Sequence, residues 1–207
     1  MFKSLRLLKN FIVWQKDSFA LPAPPNIKHK VLARYLNNLE IVIETGTFRG
    51  ESSQVLSQIC GRVITIEPDQ KLYERAKLIL KEFKNVEIIN QRSEAILEAL
   101  VSQAKGKIGF FLDSHFCGPG THRGPSVSPI KFELEIIGRL CKQFPKVVVL
   151  VDDLRYFDKR YYGDDLYPSL NFLIEWCKDH GFDWRVEYDI LIAIREQADT
   201  APIELNL

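Results

Sequence analysis

The chain has 207 residues, enough for one α/β domain with its own core, and an ordinary globular composition of 46% hydrophobic and 27% charged residues. Its formal net charge of +1 gives no reason to expect nucleic acid as a partner. No segment approaches the roughly 18 apolar residues of a membrane span, and the N-terminal apolar run is broken by Lys9-Asn10 and Gln15-Lys16-Asp17, unlike a secretory signal. A cytoplasmic protein is expected. Cys60, Cys117, Cys141 and Cys177 are scattered without a C-x-x-C pair. Three of them lie in apolar helical patterns and read as reduced core thiols, while Cys117 falls in a loop.

In chain order, Phe2 to Gln15 places Leu5, Leu8, Phe11 and Ile12 at helical spacing with Lys3, Arg6 and Lys9 between them. This reads as a helix that docks on the domain or on a second copy in a homodimer. A basic amphipathic helix lying on a membrane is the alternative. Leu21 to Pro25 is a stiff connector. A second helix is predicted over Ile27 to Leu39, with Val31, Leu32, Tyr35 and Leu36 on one face, placed to cover the mouth of a ligand site.

Alternation of strands and helices follows. Predicted strands are Ile41–Ile43, Val63–Ile66, Val86–Ile89, Ile108–Leu112 and Val147–Val151, the last continuous and β-branched as a strand buried on both faces is. Between them fall helices from Glu51 to Cys60, from Asp69 as N-cap through Phe83, over Ile96 to Val101, and from Pro129 to Cys141. A last helix spans Ser169 to His180 and stops at Gly181. Trp184–Val186 and Leu191–Ile194 close the chain as a hairpin. Such alternation implies a parallel sheet with right-handed crossovers.

The stretch that organises the chain is Glu44-Thr45-Gly46-Thr47-Phe48-Arg49-Gly50-Glu51. An apolar strand ends in an acid, a glycine-bracketed turn follows, and a helix begins, which is where α/β domains bind small ligands. The dinucleotide pattern G-x-G-x-x-G would need glycines at Phe48 and Glu51. Glu51 also opposes a pyrophosphate at the helix start. Gly46 suits a tight turn, and Gly50 the close approach of a ligand. The next strand ends in Glu67-Pro68, about 20 residues on, where a carboxylate is placed to accept ribose hydroxyls.

Glu44 to Gly50, followed by Ile64-Thr65-Ile66-Glu67-Pro68, resembles the first two motifs of class I S-adenosylmethionine-dependent methyltransferases. The order and spacing downstream to Arg195 fit as well. The resemblance implies a Rossmann-like, mostly parallel seven-stranded sheet with a C-terminal antiparallel hairpin and helices on both faces. It also implies an N-terminal helical extension over 1–39 and an S-adenosyl-L-methionine-binding domain over 40–207. Glu44 would hold the methionine amino group. Gly46, Thr47, Phe48, Gly50 and Ser52 would wrap the methionine portion. Glu67 and Pro68 would meet the ribose, and Arg92 or Ser93 would flank the adenine, unless Ser93 only caps the helix that follows.

Phe110 to Asp113 ends the fourth strand, and Val149 to Asp153 the fifth. Neighbouring strands lie about 4.8 Å apart, so Asp113, Asp152 and Asp153 are expected together beside the cofactor. Three carboxylates in a low-dielectric pocket repel unless a cation joins them, and an oxygen donor set selects a hard ion, Mg²⁺ first. The pattern is similar to the metal site of catechol-type and macrocin-type O-methyltransferases. Such an ion lowers the pKa of an acceptor hydroxyl. The catechol-type lysine after the first acid is missing from Asp113-Ser114-His115-Phe116. His115 is therefore the candidate base or an extra ligand, acting beside Asp113, with His122 second. Residues Phe116 to Ser128 and Leu154 to Pro168 form long loops suited to a lid or a substrate rim. The second holds Arg155, Tyr156, Phe157, Tyr161, Tyr162 and Tyr167 with Asp164 and Asp165, a mixture suited to a sugar or polyhydroxylated ring, or to a loop packed on itself.

The expected function is methyl transfer to the hydroxyl of a small molecule, a sugar or a natural-product intermediate. The competitors are an NAD or nucleotide-sugar enzyme on a similar sheet, and a non-catalytic binding protein.

Overall fold

A computed structural model of the chain describes residues 2–114, 128–158 and 167–197, with side chains from residue 8 onward. Seven strands form one sheet: β1 (Ile41–Thr45), β2 (Arg62–Ile66), β3 (Val86–Ile89), β4 (Ile108–Leu112), β5 (Lys146–Val151), β6 (Asp183–Glu187) and β7 (Ile190–Glu196). Their spatial order is β3-β2-β1-β4-β5-β7-β6. The first five are parallel, and β7 runs antiparallel between β5 and β6. The strand directions, the closing antiparallel hairpin and the pairing of β4 with β5 are those expected from the sequence.

The apolar runs of β1, β4 and β5 are continuous because both faces are covered. On one face Ile43, Phe110 and Val149 meet Leu97, Leu134 and Leu173. These come from α5 (Ser93–Gln103), α6 (Ile130–Leu140) and α7 (Leu170–Asp179). On the other face Val42, Phe111 and Val148 meet Leu32, Leu36 and Leu56. Leu32 lies in α2 (Pro25–Tyr35), Leu36 just past its end, and Leu56 in α3 (Glu51–Ser57). Neighbouring residues of each strand thus serve opposite cores.

Several helix ends differ from expectation. α2 begins two residues early, because Pro25 sits in its first turn where a missing N–H costs nothing, and it stops at Tyr35. α3 stops at Ser57 rather than Cys60. α4 (Gln70–Leu80) is capped by Asp69 as predicted, the carboxylate accepting from the Lys71 and Leu72 N–H groups at 2.9 Å. It buries only Ala76 and Leu80. Ile79 is exposed and Phe83 lies beyond the helix, since α4 packs beside the edge strand β3, which offers a narrow contact. Ser169 caps α7 through the Phe172 N–H. Cys141 and Cys177 are buried free thiols and Cys60 is half-buried, while Cys117 lies outside the described residues.

α1 (Phe2–Lys16) docks through Trp14, which is buried with Ala23 and Ile27. The indole N–H donates to the Ala20 carbonyl at 2.7 Å, and the ring meets Phe19 and Tyr188. No helix among the described residues is long and apolar enough to cross a membrane.

Candidate active site at the strand ends

β1 ends at Thr45, and the chain turns on Gly46 at φ +90°. A Cβ there would stand 2.5 Å from the Asp113 carbonyl oxygen, so the turn lies directly against the end of β4 and only glycine fits. Gly50 also has a positive φ, +70°, and its missing Cβ faces the Leu80 side chain at 3.2 Å. The missing Cβ at Gly50 thus lets α4 pack closely against the turn. Between them Phe48 adopts a left-handed conformation at φ 48° and leaves its ring 45% exposed. The Arg49 guanidinium stands 5.1 Å from that ring's centre.

Two acids flank the turn. Glu44 is fully buried, and the Ser53 hydroxyl donates to its Oε2. Its Oε1 has no hydrogen-bond partner among the described residues. Burial pushes the Glu44 carboxyl above the usual range, with Ser52, Ser53 and Thr65 pulling it back and Glu67 adding to the rise. Glu67 at the end of β2 is engaged by backbone: Phe48 N–H donates to Oε2 at 2.8 Å and Asp69 N–H to Oε1 at 3.0 Å. The Thr47 hydroxyl is turned inward onto that of Thr65, at 2.6 Å. Past β3, Asn90 donates to the carbonyls of Glu67 and Pro68. Arg92 pairs with Glu94 at 2.8 Å. Ser93 does not cap α5: Arg92 holds the N-cap position without a side-chain bond. Ser93 is buried instead beside Glu133 of α6.

The second half of the site lies one residue past β4 and β5. Asp113 N–H donates to the Thr45 carbonyl and Asp152 N–H to the Leu112 carbonyl, both at 3.0 Å, so the ladder carries each acid to its strand's end. One carboxylate oxygen from each of Asp113, Asp152 and Asp153 lies within 4.8 Å of the others. Asp153 sits at φ 55°. It accepts from the Arg155 guanidinium at 2.8 Å, and Arg155 also pairs with the buried Asp189 of the β6–β7 turn.

The sequence reading omitted Lys28. From α2 its ammonium donates to Asp152 at 2.8 Å and to Asp153 at 2.7 Å. The position follows from helical spacing. Lys28 lies four residues before Leu32 and eight before Leu36, on the stripe that faces the sheet. A lysine on an apolar stripe above predicted carboxylates was the available signal. Burial works against the Lys28 charge, but Asp152 and Asp153 overcome it and raise its pKa well above the lysine range. Burial, then Asp153, lifts Asp152 to about 6 against the pull of Lys28. Asp113 is raised well above the carboxylate range by burial and then by Asp152 and Asp153. Protein surrounds Asp113 closely, yet one side stays open to a cavity.

That cavity, about 230 Å³, is bounded by Gly46, Phe48 and Ser52 on one side and by Lys28, Asp113 and Asp152 on the other. It is slightly smaller than the roughly 300–1,000 Å³ of small-molecule sites. Thr47 also lines it; Glu44, Gly50, Glu67, Pro68, Arg92 and Ser93 do not. His115 and His122 fall outside the described residues, as do Tyr161, Tyr162, Asp164 and Asp165. Of the second loop, Leu154–Phe157 forms a 3-10 turn, and Tyr167 packs on Tyr156 and Phe157 at 5.5 and 5.4 Å. The donor set fits a hard cation, three carboxylate oxygens brought together without sulfur or nitrogen.

No protein-family model matches the sequence. A stretch of 63 residues is 40% identical to the probable ribosomal RNA small subunit methyltransferase A of Methanococcus aeolicus, covering 30% of this chain and 23% of that relative's length. Among solved structures, a "putative rRNA-methylase" from Clostridium thermocellum superposes with a TM-score of 0.61 at 12% identity, over 83% of this chain and 96% of that one. A "putative caffeoyl-CoA O-methyltransferase" from Staphylococcus aureus gives 0.57 at 19% identity, over 93% and 92%. The expectation that nucleic acid is no partner is overturned here, because the curated relative and the Clostridium protein are both named for ribosomal RNA. Net charge, a sum over the whole surface, does not report on a local phosphate-binding face. The fold of this chain is the Rossmann-like fold of the class I methyltransferases.

Proposed function

We propose that the chain transfers a methyl group from S-adenosyl-L-methionine to the hydroxyl of a small molecule, a sugar or a natural-product intermediate, with a divalent cation at the acid cluster. The observation that carries this is one cavity with the glycine turn on one wall and Asp113 and Asp152 on the other. Gly46, Thr47, Phe48, Gly50 and Ser52 wrap the methionine portion. Glu44 takes its amino group, directly or through water, using the carboxylate oxygen that has no partner among the described residues. Glu67 exchanges the Phe48 N–H for the ribose hydroxyls. Pro68 meets the ribose beside Glu67, and Arg92 or Ser93 borders the adenine. Asp113, Asp152 and Asp153 hold Mg²⁺, which when bound lowers the pKa of the acceptor hydroxyl. His115 receives the proton. Leu32 and Phe111 give the cavity an apolar wall, against which the acceptor oxygen meets the methyl carbon in line.

The test is methyl transfer from labelled donor to a panel of polyhydroxylated small molecules, with Mg²⁺ and with chelator. Mg²⁺-stimulated incorporation that disappears in Asp152→Asn supports the proposal. Incorporation indifferent to both rejects the metal. A second acceptor is favoured by one observation, the 63-residue likeness to a probable ribosomal RNA methyltransferase. Incorporation into purified ribosomal RNA, with none into the small molecules, selects it.

A further inference from the structure

We infer that Lys28 is a tethered occupant of the cation seat, so that a divalent ion and the Lys28 ammonium hold the Asp113–Asp152–Asp153 cluster in alternation. The inference rests on the metal reading above. The ammonium bridges two of the three acids, at 2.8 and 2.7 Å, where a hard ion would take its oxygens. Both cannot stand there: a dication sharing those oxygens would lie within a few ångströms of Nζ and repel it.

The charge balance of the pocket favours the exchange. Among the described residues, Asp113, Asp152, Asp153 and Asp189 cluster with the cations Lys28 and Arg155. Arg155 is committed to Asp153 and Asp189 and stacks over the Tyr156 ring at 4.4 Å. Lys28 is the occupant able to leave. Its side chain keeps 18% of its surface exposed, at the cavity wall. Four methylenes let the head swing into that opening while Val31 and Leu32 hold α2 on the sheet. Leu32 and Leu36 hold the backbone in register, so the ammonium returns to the same acids when the ion is gone. α2 thus supplies a built-in counter-ion that keeps the acids paired without metal and sets a threshold for metal entry.

The experiment is a Mn²⁺ titration of the full chain followed by electron paramagnetic resonance, on wild type, Lys28→Gln and Asp152→Asn. Lys28→Gln is expected to bind Mn²⁺ about tenfold more tightly than wild type or better, since it removes one opposing charge, and Asp152→Asn to lose binding. A second readout needs no variant to fold: acetylation of Lys28 by acetic anhydride, quantified by mass spectrometry, rises several-fold in wild type when Mn²⁺ saturates the site. Equal Mn²⁺ affinity in wild type and Lys28→Gln overturns the inference and leaves the metal reading standing. So does unchanged Lys28 labelling with Mn²⁺ bound. Absence of Mn²⁺ binding in both wild type and Lys28→Gln overturns the metal reading and the inference together.

Discussion

Glu133 shows how much a single residue can reveal once its surroundings are known. It lies in the first turn of α6, fully buried, with neither carboxylate oxygen hydrogen-bonded to a described residue. Burial lifts its pKa to about 7, although the nearby Ser93 and Thr45 hydroxyls pull it down. Between the ordinary carboxylate value and about 7 the folded chain therefore binds more protons at this position than the unfolded one. Stability from Glu133 is greatest below that window and falls as pH rises through it, by about 3 kcal/mol. Urea unfolding at pH 5 and pH 8 checks this. Glu133→Gln should shrink the difference between the two pH values, and an undiminished difference contradicts the assignment. Asp152, also raised, acts with the same sign, so the comparison of variant with wild type is the informative one. Among the site residues the acids were legible because each ends an apolar strand. Lys28 was not, because a lysine in a helix reads as solvent-facing unless the stripe it shares with Leu32 and Leu36 is traced back. For Ser93 the cap alternative fits Ser-Glu at a helix start, whereas here the hydroxyl is buried beside Glu133.

Among elements, β2 to β5 were legible to within a residue from their mostly apolar runs, while β1 and β7 run two and three residues longer than predicted because polar residues end them. β6 extends one residue further at each end than predicted, because the polar Asp183 and Glu187 hide the pairing with β7 that defines it. Helix ends were less legible where turn chemistry rather than periodicity decides them, as at Pro24-Pro25. The β1–α3 turn is the element most sensitive to substitution. Gly46→Ala forces a Cβ against the Asp113 carbonyl and an unfavourable φ, a cost of about 1–3 kcal/mol, more if β4 must shift. Thermal unfolding should show a lower midpoint, and binding of S-adenosylhomocysteine should weaken with it, because the turn forms the cavity wall. An unchanged midpoint contradicts the contact. α2 is the second sensitive element. Leu32→Ala should cost about 2–5 kcal/mol, as a fully buried leucine facing the sheet does, and should loosen the helix that carries Lys28.

At the scale of the molecule, the fold places four strand ends on one rim. β1 and β2 supply Glu44 and Glu67, and β4 and β5 supply Asp113 and Asp152. In the described structure the chain's own groups engage much of this rim: the Phe48 N–H on Glu67, the Ser53 hydroxyl on Glu44, and Lys28 on Asp152 and Asp153. The proposed ligand would therefore exchange internal partners for external ones rather than fill a bare pocket. If the β1–β2 half of this rim binds a methyl-donor nucleoside, calorimetric titration with S-adenosylhomocysteine, compared with NADH, will show it. The account predicts one-site binding of S-adenosylhomocysteine to wild type and none of NADH. It predicts a loss of about 1.5–3 kcal/mol in Glu67→Ala, one charged contact to the ribose. Binding of NADH without S-adenosylhomocysteine, or an affinity for S-adenosylhomocysteine indifferent to Glu67→Ala, would contradict it.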